Sequence, residues 1–342
     1  MSEAQPQEDP GTRDADAGAA PPYAGLTPDV VLDALDAIGI RGDGRLLSLN
    51  SYENRVYQVW REDGPPVVAK FYRPSRWTDA QILEEHAFLA ELAEREVPAV
   101  PPIAAGGTTL HRHAGFRHAA FARHGGRAPE LDDARVLERL GMYIGRIHAV
   151  GAIRPFDARP SVTIEEFGDD ARDYVLAHDL VPADLRPAYE AVVDQALEGV
   201  RAGFARAGTV STLRLHGDCH SGNVLWTDQG PHFVDFDDAR NGPAIQDLWM
   251  LLSGDRAAMT SQLASVLDGY ERFRLFDPRE LALIEPLRTL RLVHYAAWLA
   301  RRWNDPAFPA AFPWFGTQRY WQDRILELRE QVGALSEPPL AV

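Results

Sequence analysis

Two polar clusters, Leu215-His-Gly-Asp-Cys-His-Ser-Gly-Asn-Val-Leu225 and His232-Phe-Val-Asp-Phe-Asp-Asp238, are each set between short apolar stretches. Such stretches read as short strands, which hold the polar residues as loops on a rigid β base. Asp218 stands five residues before Asn223, and Asp235 twelve after it. Phosphoryl transfer needs a carboxylate to accept the proton of the acceptor hydroxyl, and oxygen ligands for a Mg²⁺ that bridges nucleotide phosphates. Asp218 is the candidate base, Asn223 the neutral metal ligand and Asp235 the charged one. Taken singly, Asp, Asn and the glycines Gly217 and Gly222 equally suit ordinary turns. It is the combination, with the Asp-x-x-x-x-Asn spacing of a protein-kinase catalytic loop, that points to catalysis.

A nucleotide site needs a second half, and the first part of the chain has the pieces. Leu46-Leu-Ser-Leu49, Arg55-Val-Tyr-Gln-Val-Trp60 and Pro66-Val-Val-Ala-Lys-Phe-Tyr72 read as a β-meander with a tight turn at Glu62–Pro66. Lys70 is a lone cation in an apolar strand, suited to hold the α- and β-phosphates, and such a lysine needs a carboxylate to orient it. The next helix opens on Thr78-Asp-Ala-Gln81, a capping-box pattern, and runs to about Glu96, where Val97-Pro98 stops it. At 100° per residue Glu85 falls in the apolar stripe of Ile82, Leu89, Leu92 and Ala93, whereas Glu84 points away. A buried acid is costly unless paired, so Glu85 is the expected partner of Lys70; the alternative is a solvated Glu85 at the stripe's edge.

The remaining organisation is read from period and punctuation. Residues 1–23 have almost nothing to bury and are expected to be a disordered tail. Thr27 caps a first helix with Pro28 at its start and Gly39 or Gly42 at its end. A second β-like stretch covers Ala104 to Arg123, and Gly125-Gly126 offers a break. This divides the chain into a nucleotide-binding part at 24–123 and a mainly helical part at 124–342 that carries the catalytic loop, with a β-rich insert between Leu213 and Asp238. Hydrophobic residues at 45% and charged residues at 25% are those of an ordinary globular protein. The net charge of −15 repels phosphate backbones and anionic lipid, which argues against nucleic acid and membrane surfaces as partners. One cysteine, no leader-like N-terminus and no apolar run of membrane length give the cytoplasm as the expected address.

With these pieces assembled, the chain resembles the aminoglycoside phosphotransferase-like, or kinase-like, superfamily, and within it a branch of bacterial serine/threonine protein kinases. The His-Gly-Asp-x-His-x-x-Asn pattern at 216–223 carries the superfamily. The branch is indicated by Leu49-Asn-Ser-Tyr-Glu-Asn-Arg-Val-Tyr-Gln58 and Asp305-Pro-Ala-Phe-Pro309, supported by Val68-Ala-Lys-Phe-Tyr-Arg-Pro74, Gln81-Ile-Leu-Glu-Glu-His86 and Asp237-Asp-Ala-Arg-Asn-Gly-Pro243. The resemblance implies an α+β, bilobal protein-kinase-like fold with a small β-rich N-lobe and a larger, mainly helical C-lobe. It implies ATP and Mg²⁺, with Asp218 as proton acceptor, Asn223 and Asp235 on the metal, Ser51 against the nucleotide and Lys70 on its phosphates. Adenine should meet the inter-lobe link near Phe121 to Arg123. A Ser or Thr hydroxyl of a protein would be the acceptor, in a monomeric enzyme of the bacterial stress response.

Two departures from protein kinases at large stand out. Asn50-Ser-Tyr-Glu-Asn54 replaces a Gly-x-Gly-x-x-Gly loop, leaving phosphate cradling to Ser51 and backbone N–H groups. Asp235-Phe236 is followed by Asp237 rather than glycine, so no switch of that loop is expected. Two rival readings remain: a kinase for a small alcohol such as an aminoglycoside, homoserine or choline, and an inactive nucleotide-binding scaffold.

Other conspicuous residues have plainer readings. Cys219 beside His220 offers too few ligands for zinc and suits a packed thiol. His216 is expected to brace the loop, Gly141 and Gly145 to let another backbone approach, and His148 to be a satisfied core histidine. Asp247 is either an acceptor for catalytic-loop N–H groups or a helix N-terminal acid. The helix from Pro286 to Trp303, with Arg288, Arg291, Tyr295, Trp298 and Arg302 on one face, either lines an acceptor groove or closes the C-lobe with its arginines paired to local acids such as Glu285.

Overall fold

Period-two apolar patterning in the first third produces strands that pair in sequence. In the computed structural model, which describes residues 21–342, β1 (Gly42–Ser48), β2 (Arg55–Arg61) and β3 (Val67–Phe71) form an antiparallel meander. Strands β4 (His111–His113) and β5 (Phe116–Ala122) complete one five-stranded sheet in the order β1-β2-β3-β5-β4. Residues 104–110 were expected to share the β pattern, yet Gly106 and Gly107 at φ +57° and +83° turn the chain there instead. Helix α1 (Pro28–Asp36) starts with Thr27 accepting from the Val30 N–H, and lays Val31, Ala34 and Leu35 on the sheet residues Val59, Val67, Ala69 and Ala120.

The expected tail covers residues 1–23. Residues 1–20 lie outside the described residues, but Tyr23 belongs to this lobe: its hydroxyl donates to the carbonyl of Glu53 at 3.0 Å and its ring carries the Arg55 guanidinium at 4.3 Å. An aromatic residue next to a cation has surface to bury, which composition averaged over the segment conceals.

Helix α2 (Asp79–Glu94) opens with the full capping box between Thr78 and Gln81. It belongs to the N-lobe by sequence order, yet Phe88, Leu89 and Leu92 enter the large core of the helical part, beside Leu140, Ile144 and Phe236. That core is built from α3 (Ala134–Gly151) and, further on, α7 (Arg256–Tyr270). A second core gathers α4 (Asp170–Ala177), α5 (Arg186–Ala207), α8 (Ile284–Ala300) and α10 (Gln318–Ser336), with the short α9 (Ala307–Ala311) at its edge. Between α5 and α7 lie β6 (Leu213–Leu215), the hairpin β7 (Val224–Thr227) with β8 (Gly230–Phe233), then β9 (Arg240–Gly242) and α6 (Ile245–Leu248). The β-rich insert thus runs past Asp238, because Arg240–Gly242 returns to pair with β6. Among the described residues no helix is long and apolar enough to cross a membrane. The fold is α+β and bilobal.

Helices α3 and α7 touch backbone to backbone. A Cβ on Gly269 would stand 1.8 Å from the Glu138 carbonyl oxygen, and one on Gly141 would stand 1.9 Å from that of Val266. Backbone cannot retreat as a side chain does, so the helices would have to part. Gly269→Ala is expected to cost at least about 2 kcal/mol of stability, read as a lower urea midpoint at unchanged slope.

Candidate active site

The loop between β6 and β7 is shaped by one buried carboxylate. Asp247, on α6, accepts the His216 N–H at 2.8 Å and the Gly217 N–H at 2.9 Å. The His148 ring nitrogen Nε2 lies 3.0 Å from the same carboxylate, and its Nδ1 lies 3.0 Å from the Tyr270 hydroxyl. Asp247 is therefore the acceptor for the loop's N–H groups, and His148 the satisfied core histidine. Gly217 sits at φ +87° with the Asp238 carbonyl oxygen where a Cβ would be, so no other residue fits without displacing the Phe236–Asp238 turn. The His216 ring braces both sides, reaching the Val234 carbonyl at 2.9 Å and the Asp218 N–H at 3.3 Å. Cys219 is fully buried beneath the loop, where burial pushes its thiol up.

Asn223 closes the loop by donating from Nδ2 to the Asp218 carbonyl at 2.9 Å, which leaves its Oδ1 as the free end of the amide. Val224 pairs with Phe233, so Asn223 stands beside Val234, whose N–H donates to the Asn223 backbone carbonyl at 3.0 Å; Asp235 is the next residue. Asp235 adopts φ +58°, a left-handed conformation uncommon for a residue with a Cβ, and its side chain remains half exposed. Among the described residues no three His, Cys, Asp or Glu side chains converge on one point. A cation held here would take an amide oxygen and a carboxylate from the protein and its other ligands from phosphate and water, which is the habit of Mg²⁺.

Lys70 reaches across the cleft from β3. Its Nζ lies 3.1 Å from Asp235 Oδ1 and 2.9 Å from Asp237 Oδ1. Burial alone would push the ammonium down, but Asp237, Asp235 and Glu85 hold it well above its ordinary value, so it is charged. Glu85 is buried, as its place in the apolar stripe requires; Lys70 acts on it as a nearby charge, but its direct ion pair, expected with Lys70, is made with Arg159 at 2.8 Å. That contact has a local cause. Glu84, on the supposedly idle side of α2, accepts the N–H groups of Asp157, Ala158 and Arg159 at 2.6, 3.0 and 2.8 Å, and so carries Arg159 onto Glu85. Arg159 also donates to the carbonyls of Asp237 and Ala239, both at 2.8 Å. Arg76 pairs with both Asp237 and Asp238. Neither arginine carries a sequence signal, since isolated arginines in loops are ordinary.

Asp218 is met from the far side. Arg291 Nη1, from α8, lies 2.5 Å from its Oδ1, and His220 Nε2 lies 3.4 Å from its Oδ2. Burial alone would raise this carboxyl, but His220 and Arg291 together hold it well below the usual carboxylate range. Arg288, three residues earlier, pairs with Glu285 at 3.0 Å as expected. The α8 face thus divides, with one arginine closing the lobe and one standing in the site. Ser51 lies apart from this network, half-buried in the Asn50–Asn54 loop between β1 and β2. The link after β5 is pinned to the C-lobe by paired backbone bonds between Arg127 and Trp226 at 3.0 and 2.7 Å.

A model described as "Phosphotransferase enzyme family" matches residues 45–284, from β1 to the start of α8. The chain belongs to the phosphotransferase enzyme family. Among curated relatives of this phosphotransferase, "Stress response kinase A" of Escherichia coli (strain K12) is 50% identical over 315 residues, covering 92% of this chain and 95% of its own. "Serine/threonine protein kinase RdoA" of Salmonella typhimurium (strain LT2) is 49% identical over 319 residues, with the same coverage of both chains. Solved structures share the fold at low identity. "Amicoumacin kinase hAmiN in complex with AMP-PNP, Ca2+ and Ami" has a TM-score of 0.69 and 19% identity over 90% of this chain and 93% of its own. The microcompartment-associated aminopropanol kinase has a TM-score of 0.69 and 18% identity, covering 90% and 96%.

In this phosphotransferase the Asp247 carboxylate should set the mobility of the whole 216–223 loop. Asp247→Ala is expected to speed amide hydrogen exchange at His216 and Gly217 by about tenfold or more, with α5 and α10 unaffected. Unchanged exchange there would mean that the strands alone hold the loop.

Proposed function

We propose that this chain is an ATP- and Mg²⁺-dependent protein serine/threonine kinase. The observation that carries the reading is half identity along nearly the whole chain to a relative named as such a kinase, with the Asp218, Asn223, Asp235 and Lys70 set complete. Nucleotide would lie between the lobes, its phosphates on Lys70 and Ser51. Asn223 and Asp235 would hold Mg²⁺, which when bound neutralises charge on the phosphates. Asp218 accepts the proton of the acceptor hydroxyl and orients its oxygen for in-line attack, while Lys70 fixes the donor phosphates. Glu85 acts through Arg159, and together they anchor α2 against the Phe236–Asp238 turn that carries Asp237. The N-lobe at 24–123 and the C-lobe at 124–342 are the two jaws of this arrangement.

The rival acceptor class, a cationic small alcohol, is disfavoured by Arg291. A guanidinium 2.5 Å from the Asp218 carboxylate occupies the place where an acceptor's ammonium would be expected to find its counter-charge. Protein substrates and the amino alcohols handled by the fold's neighbours are therefore the two arms of one assay. Transfer of γ-phosphate label from ATP to protein should require Mg²⁺ and fall by about 10²–10⁴-fold in Asp218→Asn with KM for ATP nearly unchanged. Label appearing only on an aminoglycoside or amino alcohol would overturn the acceptor, and undiminished transfer by Asp218→Asn would overturn the base.

A pH profile tests the same carboxylate from another side. Transfer requires ionised Asp218, so kcat/KM falls as acid protonates it, and the cations beside it keep that fall below the usual carboxylate range. Arg291→Met removes one of them. The acid limb is expected to move upward by about one pH unit, and a limb that stays in place would show that Arg291 does not tune this group.

A further inference from the structure

The two segments that indicate the protein-kinase branch, 49–58 and 305–309, lie some 250 residues apart in sequence and meet at one side chain. Asp305, on the turn after α8, is 3% exposed. Both its oxygens lie 3.0 Å from Arg55 Nη2, and its Oδ2 lies 2.9 Å from Arg73 Nη1. Arg55 also donates to the carbonyls of Tyr52 at 3.1 Å and Asn54 at 3.3 Å, and the Asn54 side chain accepts the Arg73 N–H at 3.0 Å. Glu53, inside this loop, is taken by Arg302 Nε at 2.5 Å and Trp298 Nε1 at 2.9 Å, both from α8 or the turn after it. The Tyr52 and Phe312 rings lie 4.9 Å apart. Residues 52–55 are thus each held by contacts outside the loop or by a residue that Asp305 fixes.

Where this grip falls on the sheet gives it a mechanical meaning. Phe71 pairs with Arg55 on one side and His118 on the other, whereas Val67 pairs with Val59 and with Ala122. Ala122 leads into the inter-lobe link, so Arg55 and Arg73 lie at the opposite strand ends, about 14 Å away at a strand's rise per residue. The sheet is fastened to the C-lobe at both ends. Swinging the lobes apart about the link would draw both arginines off a buried carboxylate that pairs with no other cation among the described residues. The Asn50–Asn54 loop has no glycine with which to fold down over phosphates, so its position has to come from such outside contacts.

We propose that Asp305 is a positioning residue for nucleotide: through Arg55 and Arg73 it clasps the Ser51 loop to the C-lobe and sets its place before nucleotide arrives. The clasp rests on the reading that nucleotide binds between Ser51 and Lys70. Asp305→Asn removes the charge and keeps an oxygen for the Ala307 N–H that Asp305 accepts at 3.1 Å. The expected result is a rise of about tenfold in KM for ATP and in the dissociation rate of a fluorescent ADP analogue, with kcat within about threefold of wild type. In nucleotide-free protein, amide exchange at 51–56 should quicken while α3 and α7 stay protected. Arg55→Met with Arg73→Met should reproduce both effects, and adding Asp305→Asn to that pair should change little more.

Unchanged KM and exchange in folded Asp305→Asn, or fully additive effects in the triple variant, would overturn the proposal. Should Asp305→Asn fail to fold, Arg55→Gln leaves the Arg73 pair in place and must still raise KM and loop exchange; no rise overturns it equally. Wild-type protein that bound no ATP analogue would defeat the nucleotide reading itself, and exchange of the free protein would still decide whether the clasp holds the loop.

Discussion

A charge in the middle of a buried strand has to be answered from outside that strand, and Lys70 is such a charge, with Ala69 and Phe71 fully buried on either side. Its answer comes from Asp235 and Asp237 across the cleft. Asp237 is itself buried, and Arg76 and Arg159 then face it from the N-lobe and from the turn after α3. Arg159 takes Glu85, which ties in α2. The sheet, α2 and the turn carrying Asp235 and Asp237 are in this way placed relative to one another by a connected set of opposite charges. A buried ion network adds little net stability over apolar packing, but any slip in its registry strands a charge, so it fixes geometry.

The residues proposed for the donor phosphates and those proposed to face the acceptor are built into the fold differently. The first are held by backbone bonds and buried ion pairs. The second depend on what α8 presents to Asp218, a matter of one or two side chains on an otherwise ordinary helix.

How much of this was legible in the sequence followed the range of the forces involved. The capping box at Thr78, the buried face of α2 and the β-meander all arise between residues close in sequence, and their patterns are local. The loop signature was legible through the spacing of Asp218, Asn223 and Asp235, whereas the part of Asp247 in holding the His216 and Gly217 N–H groups was one of two readings that only the structure separates. What was not legible was partner choice. Glu85 was read as buried and paired, which it is, but the chain offers many cations and no local rule picks Arg159, delivered by a turn that Glu84 caps. Asp237 was seen only as a departure from a glycine, whereas burial beside Lys70 and Arg76 makes it a structural counter-ion. The return of Arg240–Gly242 to β6 was missed because three residues are too few to show a period.

The backbone contact of α3 and α7 has a consequence beyond packing. Helix α3 carries His148 and α7 ends on Tyr270, the two residues that bond one another and so present an imidazole to Asp247. Where Gly141 and Gly269 set backbone against backbone no side chain can absorb displacement, so a change in spacing there is passed to the carboxylate that holds the His216 and Gly217 N–H groups. Heat-sensitive variants of this enzyme should therefore be sought along that seam, where a lesion remote from every substrate would silence turnover while leaving the nucleotide cleft's own residues intact.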